Sequence, residues 1–282
     1  MHLPPLPDVV LEPIVKLALA EDLGVAGDIT TDALIDPDTQ GSWELVARET
    51  GIVAGLDAAT LTAWLIDPDI HFAIAAPDGA RVKAGETIAK LDGPARSVLI
   101  AERTMLNFIG RLSGVASLTR AYVDAVAGMG VVIASTRKTT PGLRALEKRA
   151  VRRGGGGSHR YSLGDAMLIK DNHIAAAGGV AAAMTRARAA AGHLTCIEIE
   201  VDSLDQLREA LKHAPSAILL DNFSLPDLRA AVKLAKGETL LEASGGVSIE
   251  TVFSIAETGV DVISVGALTH SARALDVGLD AV

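Results

Sequence analysis

Six places from residue 137 onward put charge or glycine in the same local setting. Arg137-Lys138, Lys170-Asp171, Glu200, Asp221-Asn222, Ser244-Gly245-Gly246 and Gly266 each close a short apolar run, most of them rich in β-branched residues. Arginine grips carboxylates through paired hydrogen bonds, and lysine supplies a mobile point charge. Glycines before a helix let backbone N–H groups approach a phosphate; Ser244-Gly245-Gly246 and Gly266-Ala267 both precede predicted helices. Any one of these residues is as well explained by structure. Six successive run ends argue for one shared anion-binding site.

The run at residues 196–201 gives the most detail. Side chains alternate faces along a strand, so Ile197, Ile199 and Val201 share one face while Glu198 and Glu200 share the other. Buried carboxylates need partners, and Arg137, Lys138 and Lys170 are available. A structural ion-pair network is the alternative, and Glu200, nearer the strand end, is the better ligand contact. Four glycines, Gly154 to Gly157, precede Ser158-His159-Arg160. Such a run is flexible or lets backbone come close to a ligand, and it delivers an imidazole and a guanidinium together. His173 has no partner at metal-ligand spacing and reads as structural.

Charge is concentrated around these residues. From Arg137 to Arg160 lie Arg137, Lys138, Arg144, Lys148, Arg149, Arg152, Arg153 and Arg160 against one acid, Glu147, in a chain of formal net charge −9. This predicts a local anion site, although Lys148, Arg149, Arg152 and Arg153 read equally well as the solvated face of a basic helix. The overall acidity argues against general nucleic-acid binding.

The elements that must position these groups follow from periodicity. Apolar runs at 131–136, 166–169, 196–201, 217–220, 239–243 and 262–265, with helical stretches near 179–191, 204–213, 226–235 and 249–257, predict a parallel sheet coated by helices. No GxGxxG turn follows the first run, which removes the main dinucleotide-fold signal. A barrel suits convergent strand ends, and six strands where a full barrel has eight make it incomplete. The first part is mixed: a helix from Asp8 through Leu19, a loop from Gly24 to Thr31, a hairpin around Glu49-Thr50-Gly51, a helix over 58–66 and a long helix over 96–127. No run approaches the roughly 18 apolar residues of a membrane helix. The first residues lack the basic start and apolar stretch of a signal peptide, and the single Cys196 fits a reducing compartment, so a cytoplasmic location is expected.

Taken in order, these motifs resemble a known family. Gly27-Asp28-Ile29-Thr30-Thr31, Glu102-Arg103-Thr104, Thr136-Arg137-Lys138-Thr139-Thr140-Pro141-Gly142, His159-Arg160, Leu168 to His173, Glu198 to Val201, Leu220 to Phe223, Ser244-Gly245-Gly246 and Val265-Gly266-Ala267 are similar to quinolinate phosphoribosyltransferases across nearly the whole chain. The resemblance implies an N-terminal α+β open sandwich over residues 1–110 and an incomplete α/β barrel of the type II phosphoribosyltransferase kind over 111–267. A segment from about 268 to 282 would return to the sandwich. It implies a homodimer in which Arg103 reaches the partner's active site, with higher assembly left open. The implied reaction joins quinolinate to phosphoribosyl pyrophosphate (PRPP), giving nicotinate mononucleotide, pyrophosphate and carbon dioxide.

In that scheme Arg103, Arg137 and Arg160, with His159 and Lys170, form the quinolinate pocket, and Thr136 is a further substrate contact. Ser244, Gly245, Gly246, Gly266 and Ala267 hold the 5-phosphate. Lys138 and Lys170 neutralise pyrophosphate, and Glu200 and Asp221 face the ribose and a Mg²⁺ ion. Lys138, Lys170, Glu200 and Asp221 are the expected catalytic set. Three rivals stand beside it: a paralogue acting on another base, such as the molybdenum-associated relatives; a swinging-arm carrier, suggested by the strand pattern at 78–86 but lacking an acceptor-lysine turn; and a barrel aldolase using Lys170 as a Schiff base.

Overall fold

The computed structural model describes residues 3–282. In chain order the elements are α1 (Asp8–Leu23), α2 (Ile29–Leu34), β1 (Gln40–Ala47), β2 (Gly51–Ile52), α3 (Leu56–Ile66), β3 (His71–Ile74), β4 (Arg81–Val82), β5 (Thr87–Pro94), α4 (Ala95–Ala125), β6 (Val132–Ser135), α5 (Arg144–Arg153) and β7 (Gly157–Ser158). They continue with β8 (Met167–Ile169), α6 (Asp171–Ala177), α7 (Val180–Ala190), β9 (Ile197–Val201), α8 (Leu204–Leu211), β10 (Ala217–Asp221), α9 (Leu225–Ala235), β11 (Leu240–Ser244), α10 (Val252–Ala256), β12 (Val262–Ser264), α11 (Ala267–His270) and β13 (Val277–Ala281). Two compact units result: one comprises the chain up to Arg120 with residues 140–155 and 271–282, the other residues 121–139 and 156–270.

The first unit is built on an antiparallel sheet of order β13-β1-β5-β3. Alternation along β1 buries Trp43, Leu45 and Ala47, and the same rule on β5 buries Ala89 and Leu91. These residues form one core with Leu56, Ala59 and Ala63 of α3 and Val98, Met105 and Ile109 of α4. Each large side chain so buried contributes roughly 1.5–3 kcal/mol. Two local expectations give way here. Residues 29–31 are helical, because Asp28 caps α2 by accepting from the N–H groups of Thr30 and Thr31 at 3.1 and 3.0 Å. The expected hairpin does not form: β1 pairs with β13 and β5, while β2 pairs with β4.

The first compact unit also takes in chain beyond residue 110. Helix α4 runs unbroken through that position. Residues 140–155 join the first unit through Glu147, which is fully buried on α5. Its carboxylate accepts from Arg111 Nε and Nη2 at 3.1 and 2.6 Å and from Thr140 N–H and Oγ1 at 3.0 and 2.7 Å. The neighbouring cations are structural too. Lys148 is fully buried, Arg149 pairs with Asp57 at 3.2 Å and Arg153 with Asp78 at 3.5 Å. The solvated basic face, one of the readings open for this stretch, therefore does not fit Lys148, Arg149 and Arg153, which are buried or ion-paired.

The second unit is a seven-stranded sheet of order β7-β6-β12-β11-β10-β9-β8, parallel at every pairing. Its edges, β7 and β8, are consecutive in the chain and unpaired with each other, so the barrel is incomplete on that side. Six of the strands coincide with the apolar runs. The seventh, Gly157–Ser158, has only two residues and no apolar side chain, so it carries no periodic signal. Parallel direction places all seven carboxyl ends on one side of the sheet.

Candidate active site

The carboxyl ends of the second unit's strands enclose a cavity of ≈ 590 Å³ lined by charged and small polar groups. This lies within the range of roughly 300–1,000 Å³ common for small-molecule sites. Thr136, Arg137 and Lys138 follow β6, and His159 and Arg160 follow β7. Lys170 follows β8, Glu200 stands near the end of β9, Asp221 ends β10, and Ser244-Gly245-Gly246 close β11.

Gly266 and Ala267 are not among the lining residues, but Gly266 packs against one of them: a Cβ there would lie 3.1 Å from Lys138 Cδ. Thr269 Oγ1 fixes the same loop by donating to the Lys138 carbonyl at 2.8 Å. Arg103 is an exposed residue of α4 in the first unit, outside the cavity's lining.

Two polar pairs order the cavity's wall. Lys170 Nζ meets Glu200 Oε2 at 2.7 Å, and His159 Nε2 meets Glu198 Oε2 at 2.6 Å. Glu198 is 7% exposed and stands behind the imidazole. At the end of β10, Asn222 takes a left-handed backbone with φ 55°. Its Nδ2 donates to Asp221 at 2.8 Å, and its backbone N–H donates to the Ser244 carbonyl at 2.9 Å. The Asn222 side chain fills the space a Cβ at Gly245 would need, and Gly245 itself has φ 97°. Glycine is required at 245 on both counts. His173 accepts from the Lys170 N–H through Nδ1 at 2.9 Å at the start of α6.

Several groups around the cavity hold a buried polar atom without a hydrogen-bond partner: Nε of Arg137, Nε of Arg160, Oε1 of Glu242, and Oγ of Ser158 and Ser264. Burial pulls Arg160 below its ordinary pKa, the adjacent Arg137 pulls further, and Glu198 and Asp165 act the other way. A guanidinium stays charged regardless, so burial and the neighbouring arginine make the Arg160 charge costly here.

Both halves of the chain match models of one family. Residues 28–113 match the N-terminal domain of quinolinate phosphoribosyl transferase and residues 115–280 its C-terminal domain. The chain belongs to this family. A Mycobacterium leprae protein named nicotinate-nucleotide pyrophosphorylase (carboxylating) is 48% identical over 272 residues, 94% of this chain and 95% of that protein. A Bacillus subtilis protein, a probable nicotinate-nucleotide pyrophosphorylase (carboxylating), is 43% identical over 260 residues, 92% of this chain and 89% of that protein. The solved nicotinate-nucleotide pyrophosphorylase of Francisella tularensis superposes with TM-score 0.95 at 40% identity, covering 99% of this chain and 98% of that one. Family membership removes the carrier and aldolase alternatives. Among the described residues no helix is long and apolar enough to cross a membrane.

Sequence reasoning missed Glu242. It lines the cavity from β11 and is only 4% exposed. Residues 242 and 244 share a strand face, so the alternation that singled out Glu198 and Glu200 would have found it. Ser264 on β12 and Leu219 on β10 line the cavity for the same reason.

Proposed function

We propose that the chain transfers the phosphoribosyl group of PRPP to quinolinate with loss of carbon dioxide, giving nicotinate mononucleotide and pyrophosphate. One observation carries the substrate assignment: two guanidinium groups with unsatisfied buried donors line a single cavity beside Lys138 and Lys170. A planar dicarboxylate is the ligand that satisfies paired forks of this kind. Arg137 and Arg160 take its carboxylates, with Thr136 and His159 completing the wall. Lys170 and Lys138 meet the pyrophosphate, and the N–H groups at Gly245 and Gly246, with Ser244, Gly266 and Ala267, receive the 5-phosphate. Glu200 and Asp221 face the ribose.

The chemistry then rests on position and charge. The pyridine nitrogen forms a bond to the ribose carbon as the bond from that carbon to pyrophosphate breaks, and the leaving oxygen keeps the electron pair. A carboxylate on the cavity wall, Glu200 or Asp221, stabilises the positive charge that develops on the sugar. The ring nitrogen is now cationic. When the adjacent carboxylate leaves as carbon dioxide, the electron pair left on the ring carbon is stabilised by that nitrogen and takes up a proton.

The oxygen donors of Glu200 and Asp221 suit a Mg²⁺ ion, which supplies charge neutralisation for the pyrophosphate when bound. An outside cation is in keeping with the charge count. Arg137, Lys138, Arg160 and Lys170 face three lining acids, Glu200, Asp221 and Glu242, with Glu198 just behind His159, which leaves little spare positive charge for a pyrophosphate. The same count supports Arg103 acting from a partner subunit in a homodimer.

Purified protein supplied with PRPP and, in parallel, quinolinate, nicotinate or nicotinamide tests the proposal. Release of carbon dioxide and formation of nicotinate mononucleotide with quinolinate alone is expected. Turnover of nicotinate instead would assign the chain to a different base. Mixing Arg103→Ala subunits with Lys138→Ala subunits should restore activity if Arg103 works in trans, and no restoration would remove that part of the scheme.

A further inference from the structure

Strand β7 is the weak edge of the barrel. It has two residues and one neighbour, β6, yet the chain after it carries both His159 and Arg160. Two hydrogen bonds in series tie this segment to β9, which lies beyond the other edge strand, β8, in the sheet order. Nδ1 of His159 accepts from the Arg160 backbone N–H at 2.8 Å. Nε2 of the same ring lies 2.6 Å from Glu198 Oε2. An imidazole nitrogen that accepts from a backbone N–H holds a lone pair, so the ring's proton is on Nε2, donated to Glu198. Glu198 is buried and fixed on a strand paired on both sides. Arg160 is anchored a second time where Nη1 donates to the Ala166 carbonyl at 3.0 Å.

Resting on the reaction proposed above, we infer that Glu198 is a positioning residue: it locks His159 as the neutral Nε2–H tautomer and, through that ring, holds the Arg160 backbone where its guanidinium meets the pyridine dicarboxylate. The relay stands in for the strand pairing that the open edge lacks. His159 serves the site as part of its wall and as a spacer, because both ring nitrogens are engaged inside the protein.

The tautomer also decides a rival use of the same groups. Ligand atoms of His159, Glu198 and Glu242 lie within 4.8 Å of one another, near enough to share a cation. A metal at Nε2 would need that nitrogen's lone pair, hence a proton on Nδ1, which faces the Arg160 N–H donor. The arrangement therefore favours the relay over metal ligation.

The test has a spectroscopic and a kinetic arm. Long-range ¹H–¹⁵N correlation spectra of histidine-labelled protein, with His159→Asn to assign the signal, should show Nε2 protonated and Nδ1 bare. A protonated Nδ1 in the native protein overturns the inference, whether or not quinolinate proves to be the substrate. Glu198→Ala should raise KM for quinolinate about tenfold, the equivalent of ~1.4 kcal/mol, with KM for PRPP within about twofold. Glu198→Gln keeps an oxygen acceptor for Nε2–H and should restore most of that KM. Equal losses in the two variants, or parallel rises in both KM values, would overturn the relay. Should Glu198→Ala fail to fold, the native spectrum and the Glu198→Gln kinetics decide.

Discussion

Replacing Gly154 by alanine separates a packing role for the glycine run from a ligand role. Gly154 ends α5 with helical angles, φ −70° and ψ −8°, and its N–H is bonded to the Ala150 carbonyl. Alanine tolerates that backbone, and on conformational grounds the change would stabilise by about 0.4–1 kcal/mol. Space decides otherwise. A Cβ at 154 would collide with the Ala116 carbonyl oxygen of α4 and lie 2.6 and 3.0 Å from Thr119 Cβ and Cγ2, where carbon contacts prefer about 3.5–4 Å. Thr119 cannot swing aside, being fully buried with its hydroxyl bonded to the Val115 carbonyl at 2.7 Å. The obstruction is backbone, so α5 and α4 must separate. Overpacking of this kind costs about 1–3 kcal/mol, which outweighs the entropy gain. Gly154→Ala should lower the melting temperature by about 2–8 °C, read by calorimetry or circular dichroism. Gly192→Ala, whose nearest neighbour would be 3.6 Å away, should leave it unchanged. A Gly154→Ala protein as stable as the parent would refute the argument and return the run to a role in loop freedom.

The remaining expectations are these. Glu147→Ala should destabilise by about 3–5 kcal/mol, because it leaves Arg111 and Thr140 without their buried partner; denaturant unfolding that shows less than 1 kcal/mol would contradict the network. Asp28→Ala should cost about 1 kcal/mol at neutral pH through loss of the α2 cap. Hydrogen bonds from Thr31 and Thr30 hold the Asp28 pKa below its ordinary 3.8, so the cap's contribution is present above that value and lost as pH falls through the folded pKa. Stability curves of the two proteins should therefore converge in acid. Lys138→Ala and Glu200→Ala should each lower turnover by about 10²–10³ with melting temperatures little changed, and near-normal turnover in both would defeat the assigned roles.

What the chain discloses before folding depends on whether a residue's neighbours are near in sequence. Strand alternation is local, so the inward carboxylates of β9 and the cationic ends of β6 and β8 could be read directly, and Glu242 was available by the same rule. The purpose of Gly154 was not, since its crowding partners lie on α4, more than thirty residues earlier. Nor was the fate of the basic segment: Asp57 and Asp78, which pair with Arg149 and Arg153, give no local sign that they will meet them. Strand β7 was invisible for a different reason, because two residues have no period. The pairing of β13 with β1 joins residues more than two hundred positions apart, and only the family resemblance suggested it.

The cavity's charge count bears on how the proposed site would work. Four cations face three acids in the lining, with Glu198 behind the imidazole, so the net field is small and long-range attraction does little to select the ligands. Selection has to come largely from contact: from the Arg137 and Arg160 guanidiniums that line the cavity and grip planar carboxylates, and from rearrangement of pairs already formed. Lys170 and Glu200 are bonded to each other at 2.7 Å. In the proposed reaction an arriving pyrophosphate competes for the lysine, and as the ammonium turns toward it the Glu200 carboxylate is released for the sugar or a hard cation. The Lys170–Glu200 pair thus keeps two reactive charges matched to each other, and in the proposed reaction the anionic substrate itself parts them where each is needed.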